Sequence, residues 1–301
     1  VKFQTFDVDL LTTSDAPQAE YQTANTGSDQ SQKEMLHKLQ LTHDQFKGLE
    51  AYCRERGIVF ISTPFDHESA DFLDELGVPA FKIPSGETTN LPFIDHIARK
   101  GKPVILSTGM SYLSEVERAV RTVRDAGNDQ LVVLHCVSNY PTAPSEVNLK
   151  AMHTMAQAFD VPVGFSDHTM GIEIPIAAVA LGACVIEKHF TLDRDMPGPD
   201  HKASLEPDEL AQLVRDIRSV EKAVGNGIKQ PTESEASTKA VIRRSICLRQ
   251  PVEAGVTIEQ CHLIALRPEG GIPPDQFDMV LGRKARRAIP AGARLEWGDI
   301  E

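Results

Sequence analysis

Gly164-Phe165-Ser166-Asp167-His168-Thr169 and Glu187-Lys188-His189-Phe190-Thr191 each follow a strand-like run, and each carries a histidine just beyond it. Neighbouring parallel strands lie about 4.8 Å apart, so imidazoles at consecutive strand exits can share one cation. Reading outward, the runs 161–166 and 184–187 are preceded by others at 58–62, 80–83, 104–107 and 131–135. Helical patterns at 42–56, 69–76, 113–126, 149–158 and 173–181 fall between or beside them. Gly57, Gly77, Gly127 and Gly182 stand where most of these helices must stop. This β/α rhythm predicts an α/β chain built as a (β/α)8 TIM barrel, a fold that takes about 250 residues. An open doubly wound sheet is the alternative. No glycine-rich fingerprint follows an early strand, however, and polar residues are spread over all the strand ends, which in a barrel converge on one mouth.

The opening Val1-Lys2-Phe3-Gln4-Thr5-Phe6 also reads as a strand, with no initiator methionine. The chain is therefore expected to enter partway through the fold, with a first barrel strand missing upstream and the barrel open at one seam. Segment 7–41 is long, polar and weakly periodic. It is expected to form an excursion over the mouth, with a short helix near 31–39. After a helix at 207–224 comes the Gly/Pro/polar stretch 225–238, read as a linker between a barrel domain, 1–224, and a small β-rich domain, 239–301. Within the latter, Pro251-Val252-Glu253-Ala254-Gly255-Val256-Thr257-Ile258 is echoed by Ile289-Pro290-Ala291-Gly292-Ala293-Arg294-Leu295.

Composition excludes several classes. With a net charge of -12 over 301 residues, a nucleic-acid partner is disfavoured, although a local basic pocket can still take an anionic substrate. The five cysteines are odd in number and include no CxxC pair, which argues for reduced thiols in an intracellular protein. No apolar run approaches the roughly 20 residues of a membrane span, and there is no signal-peptide pattern. A cytoplasmic protein without a membrane partner is expected.

Chemistry gathers at the predicted rim. His168 and His189 would leave several positions of a bound cation open, which suits a catalytic Mn2+ or Mg2+ better than structural zinc; the alternative is two ordinary polar residues at a rim. Lys2 and Lys82, with the hydroxyls of Thr63, Ser85, Ser107 and Ser166, suit a phosphate or carboxylate. Burying an ammonium without an anion costs several kcal/mol, so lysines inside apolar runs call for a partner. Glu87, after Pro84-Ser85-Gly86, is the best-placed acid for proton transfer, against the reading of a solvated loop acid. Lys188 alternates away from the mouth. His135 is expected behind the first layer of the site, and His37, His43, His67, His96 and His153 are expected to be solvated.

Together with Ser62-Thr63-Pro64-Phe65, Phe81-Lys82-Ile83-Pro84-Ser85-Gly86-Glu87, Leu106-Ser107-Thr108-Gly109-Met110 and Pro197-Gly198-Pro199-Asp200-His201, these stretches resemble the N-acetylneuraminate (sialic acid) synthase family over the whole length. The C-terminal part is similar to that family's antifreeze-like (SAF) domain, with Arg267-Pro268 in the matching position. The resemblance implies condensation of phosphoenolpyruvate with an N-acyl hexosamine, typically N-acetylmannosamine, and water to give a nonulosonic acid such as N-acetylneuraminate. It implies Mn2+, or Mg2+ or Co2+, on His168 and His189. Lys2, Gln4, Thr63, Lys82, Ser85, Ser107, Ser138, Tyr140 and Ser166 would surround phosphoenolpyruvate, Asp200 would meet sugar hydroxyls, and Glu87 would assist water addition. It further implies a domain-swapped homodimer in which Arg267 reaches the partner's site. A glutamate carried on the family's first strand is absent from this sequence, and Ser138 stands where some members have Asn. The Lys82-Ile83-Pro84-Ser85-Gly86-Glu87 form looks more like neuraminate and legionaminate synthases than pseudaminate synthases. Two rivals stand beside this reading: a Schiff-base aldolase using Lys82, and a carbohydrate- or ice-binding module on an inert barrel.

Overall fold

A computed structural model, described over residues 1–26 and 30–301, divides the chain into two compact units, Val1–Gly225 and Asn226–Glu301. The first unit runs β1 (Lys2–Thr5), α1 (Val8–Leu11), α2 (Glu20–Thr26), α3 (Gln32–His37), α4 (His43–Glu55), β2 (Ile61–Pro64), α5 (His67–Leu76) and β3 (Phe81–Ile83). It continues through α6 (Leu91–Ala98), β4 (Val104–Ser107), α7 (Leu113–Asp125), β5 (Leu131–Cys136), α8 (Lys150–Phe159), β6 (Val163–Asp167), α9 (Glu173–Ala180), β7 (Ile186–Lys188) and α10 (Pro207–Val224). All strand pairs are parallel, in the ladders β1-β2 and β3-β4-β5-β6-β7, with β2 alongside β3. The result is a curled parallel sheet wrapped by helices. No ladder joins β1 to β7 among the described residues.

Strand parity builds this unit. Side chains of one parity, Phe81 and Ile83 on β3, Val104 and Leu106 on β4, Val133 on β5 and Phe165 on β6, are buried in one apolar cluster with Phe93, Ile94, Val120 and Met152 of the helices. Burying each such side chain contributes about 1.5–3 kcal/mol. The opposite parity is left for the polar residues that meet at the mouth. Gly164 is required for closeness: a Cβ there would lie 2.5 Å from the Val185 carbonyl oxygen and 2.6 Å from Leu134 Cδ2.

The structure departs from the sequence reading in several places. The second strand spans Ile61–Pro64 and not 58–62, because Ile58 is consumed in ending α4: its N–H reaches the Cys53 carbonyl at 2.9 Å while that of Gly57 reaches Arg54. Ile58 and Val59 are consequently exposed. Helix α6 had no counterpart in the sequence reading; Pro92 in its first turn and buried Phe93, Ile94 and Ile97 define it. His135 faces away from the mouth, its Nε2 at 2.6 Å from the Val147 carbonyl, and so ties β5 to the loop before α8. Among the other histidines, His43 stacks on Phe72 and His96 pairs with Asp71 at 2.7 Å, both at the surface.

The excursion 7–41 contains three short helices rather than one, of which α3 starts at the Ser31 cap; residues 27–29 of it lie outside the described set. In the second unit, α11 (Ala236–Ile242) takes up part of the stretch read as linker, followed by the antiparallel pair β8 (Ser245–Leu248) and β9 (Leu263–Leu266) and by α12 (Phe277–Val280). The two echoed segments pair with each other: Val252 and Ile289 exchange hydrogen bonds of 3.0 and 2.8 Å. A separate apolar cluster, including Ile246, Leu248, Ile258 and Leu295, holds this unit. No described helix is long and apolar enough to cross a membrane.

Candidate active site

The mouth of the curled sheet opens into a cavity of about 480 Å³. Inward parity brings Lys2 and Gln4 from β1, Thr63 from β2, Lys82 from β3, Ser107 from β4, Cys136 from β5, Ser166 from β6 and Glu187 from β7 to its floor. Buried Lys82 donates to Ser107 Oγ at 2.7 Å and faces Glu187 Oε2 at 3.6 Å. Ser166 donates to Glu187 Oε1 at 2.9 Å, and Lys2 donates to Thr63 Oγ1 at 3.4 Å. Burial alone would raise the Glu187 carboxyl, but Lys82, Lys2 and the Ser166 hydroxyl hold it at about 2. Desolvation pushes the Lys82 ammonium below its ordinary value, and Glu187 opposes this.

The two histidines sit at the same rim, their ring centroids 5.3 Å apart at 71°. Val137 carbonyl oxygen lies 2.6 Å from His168 Nδ1, which assigns the proton to Nδ1 and leaves Nε2 as the donor for a metal. Burial, then the neighbouring His168 and Lys2, lowers His189 to about 3, so it is a neutral imidazole with a lone pair to offer. Asp200 Oδ2 is 3.8 Å from His189 Nδ1, and burial raises its carboxyl. The Tyr140 ring lies 4.0 Å from that of His168 and 5.5 Å from that of His189. Burial raises the Tyr140 phenol, so it stays protonated. Two imidazoles beside one carboxylate fit a divalent cation that takes its remaining ligands from water and substrate; a cluster of three or more protein ligands is absent among the described residues.

On the other side of the cavity, Gly109 donates its N–H to Ser85 Oγ at 2.9 Å. A Cβ at Gly109 would lie 2.2 Å from Ser138 Oγ and 2.9 Å from Ser85 Oγ, so glycine leaves room for these two hydroxyls to approach each other beside the cavity. Glu87 lines the cavity from the short turn Ser85–Glu87, with its Oε2 accepting from Asn90 at 2.7 Å. Every site residue named from the sequence lines this one cavity except Arg267, which is exposed after β9 in the second unit.

Of the lining residues not anticipated, Glu187, Cys136 and Tyr21 bear on the site. Glu187 lies two positions before His189, and the same alternation that turns Lys188 away places it at the mouth, so strand parity was the signal for it. Lys188 is spent elsewhere: it pairs with fully buried Asp167 at 2.6 Å and donates to the Thr169 carbonyl. Cys136 has its Sγ 3.9 Å from His168 Nδ1. Tyr21, on the excursion helix α2, lies 4.9 Å from Tyr140, ring to ring, and nothing local marks it.

The NeuB family profile matches residues 1–229, and the SAF domain profile matches 243–301. The N,N'-diacetyllegionaminic acid synthase of Legionella pneumophila is 47% identical over 100% of this chain and 86% of its own length. The N-acetylneuraminate-9-phosphate synthase of Homo sapiens is 39% identical over 82% and 69%. The crystal structure of the N-acetylneuraminic acid synthetase of Leptospira borgpetersenii, in complex with citrate, superposes with a TM-score of 0.68 at 34% identity, covering 79% of this chain and 78% of that one. With a metal-competent pair of imidazoles and a lysine-lined anion floor in one mouth, this chain is an enzyme of the nonulosonic acid synthase group and belongs to the NeuB family, with a SAF domain at its C-terminus.

Proposed function

We propose that the enzyme condenses phosphoenolpyruvate with an open-chain N-acyl hexosamine and water, releasing inorganic phosphate and a nonulosonic acid. The observation that carries this reading is the division of one cavity into a cationic floor, Lys2 and Lys82, and a rim of His168, His189 and Asp200, with the Ser85 and Ser138 hydroxyls also in the lining. The floor suits the carboxylate and phosphate of phosphoenolpyruvate. Glu187 keeps Lys82 charged and aimed, and Ser107 and Ser166 hold that pair in place. Mn2+, or Mg2+ or Co2+, bound by His168 and His189 would act as a Lewis acid toward the aldehyde oxygen.

Carbon–carbon bond formation joins C3 of the enol to the aldehyde carbon and leaves C2 electron-poor beside the ionised Glu187. A water adds at C2 and gives one proton to Glu87 on the Ser85–Glu87 turn, which offsets the proton taken up by the former aldehyde oxygen as it becomes a hydroxyl. The tetrahedral carbon then expels phosphate by C–O cleavage as the C2 hydroxyl gives its proton to the departing phosphate and becomes the ketone, with Lys2 and Lys82 balancing the leaving charge. The resemblance to the family makes N-acetylmannosamine the first reading of the acceptor and N-acetylneuraminate of the product. A di-N-acylated acceptor is the second reading, favoured by the higher identity to the legionaminic acid synthase. By its similarity to the family, the enzyme works as a homodimer in the cytoplasm, with Arg267 serving the partner's site.

Phosphate release measured with phosphoenolpyruvate, a divalent metal and a panel of N-acyl hexosamines tests the proposal. Turnover that requires both substrates and stops with a chelator is expected. Borohydride trapping of pyruvate on Lys82 would instead establish the aldolase.

A further inference from the structure

We propose that Tyr21 of α2 sets acceptor specificity: stacked on Tyr140, it walls the outer end of the cavity so that the site admits an N-acyl hexosamine whose far end carries no phosphate. This rests on reading the cavity as the phosphoenolpyruvate–hexosamine site.

The cavity is strongly asymmetric in charge. Its only lysines, Lys2 and Lys82, stand on β1 and β3 at the floor, and no arginine lines it among the described residues. Beyond the strand ends the apolar part of the lining is Phe6, Leu11, Tyr21, Leu36, Phe65 and Met110, with the amides of Gln22 and Gln32 beside it. The excursion's two lysines are committed outside the cavity, Lys33 to Asp9 at 2.7 Å and Lys38 to Gln30. Once phosphoenolpyruvate occupies the lysines, a second phosphate at the far end of the sugar would lose its hydration and find aromatic, aliphatic and neutral amide groups but no further cation of this chain. An acyl or deoxy terminus would lose nothing there.

Tyr21 is held as a wall. Its ring meets Tyr140 at 4.9 Å and 32°, and Tyr140 in turn meets His168, so an aromatic column runs from the excursion to the metal-competent imidazoles. Asn25, one turn further along α2, donates to the Pro199 carbonyl at 2.6 Å, which anchors the helix beside Asp200. The neck of the excursion is closed by the Gln32 N–H on the Ala16 carbonyl at 3.0 Å. Burial, then Asp200, pushes the Tyr21 phenol up to about 12, so the wall stays neutral across the physiological range.

The test is steady-state kinetics of the full chain with phosphoenolpyruvate and either N-acetylmannosamine, its 6-phosphate, or a di-N-acetylated deoxyhexosamine. Unphosphorylated sugars are expected to exceed the 6-phosphate in kcat/KM by roughly 100-fold, the scale on which a site rejects a group it cannot partner. Tyr21→Ala is expected to raise the sugar KM roughly tenfold with the phosphoenolpyruvate KM unchanged, and Tyr21→Phe to retain wild-type specificity. Tyr21→Lys should recover use of the 6-phosphate. Equal use of the 6-phosphate by the wild type, or a Tyr21→Ala enzyme with an unaltered sugar KM, overturns this inference while leaving the proposed reaction standing. Absence of phosphate release with every sugar overturns the proposed reaction and this inference with it.

Discussion

At the residue scale the site depends on a few charges whose neighbours fix their state. Replacing His168 or His189 by Ala is expected to lower kcat by on the order of 100-fold or more with the fold retained by circular dichroism, because each removal halves the imidazole donors offered to the cation. Glu187 gives a pH signature. Its carboxyl is held at about 2 in the folded chain against an ordinary 4.5, so its contribution is complete above about 4.5 and is lost as pH falls toward 2. The stability gap between wild type and Glu187→Gln, on the order of 3 kcal/mol at neutral pH, is therefore expected to shrink on acidification, as measured by urea melts from pH 7 to pH 3. A constant gap over that range would show that the carboxylate is not held by the lysines.

Among the elements, β6 and β7 are joined by more than their ladder. Lys188 and Asp167 are both buried, and removing one leaves the other charged in a dry place. Lys188→Ala is expected to cost about 3–5 kcal/mol, although the residue faces away from the cavity. Gly164→Ala on β6 is expected to cost about 1–3 kcal/mol by crowding Leu134 and the Val185 carbonyl. Denaturant melts of both variants check these values; unchanged midpoints would mean that the strands shift to absorb the change.

For the whole molecule, the second unit has its own apolar cluster and its own hydrogen-bonded pairings, so residues 226–301 expressed alone are expected to fold, with a cooperative melt and dispersed amide resonances. Subunit complementation tests the proposed dimer. Mixing Arg267→Ala with His189→Ala, each inactive alone, is expected to restore roughly a quarter of wild-type turnover, since random re-pairing makes half the dimers mixed and gives each of those one intact site. No recovery would place Arg267 in its own chain's service or in none.

Much of this was legible in the chain and some was not, for physical reasons. Periodicity alone marked the alternation of strands and helices, because a parallel sheet buried on both faces imposes short apolar runs that α/β crossovers must separate. His168, His189, Lys82 and the rim hydroxyls stood out because polar groups at strand exits have only the mouth to enter. Glu187 was signalled by the alternation that turns Lys188 outward, but its pairing with Lys82 is set only by the curl of the sheet that brings β7 across from β3. α6 opens on Leu91-Pro92, where the proline sits in the first turn and can equally be read as a break. Tyr21 is beyond any local rule. Its place over Tyr140 depends on how an irregular excursion folds back across the barrel, and that is settled by packing between residues more than a hundred positions apart.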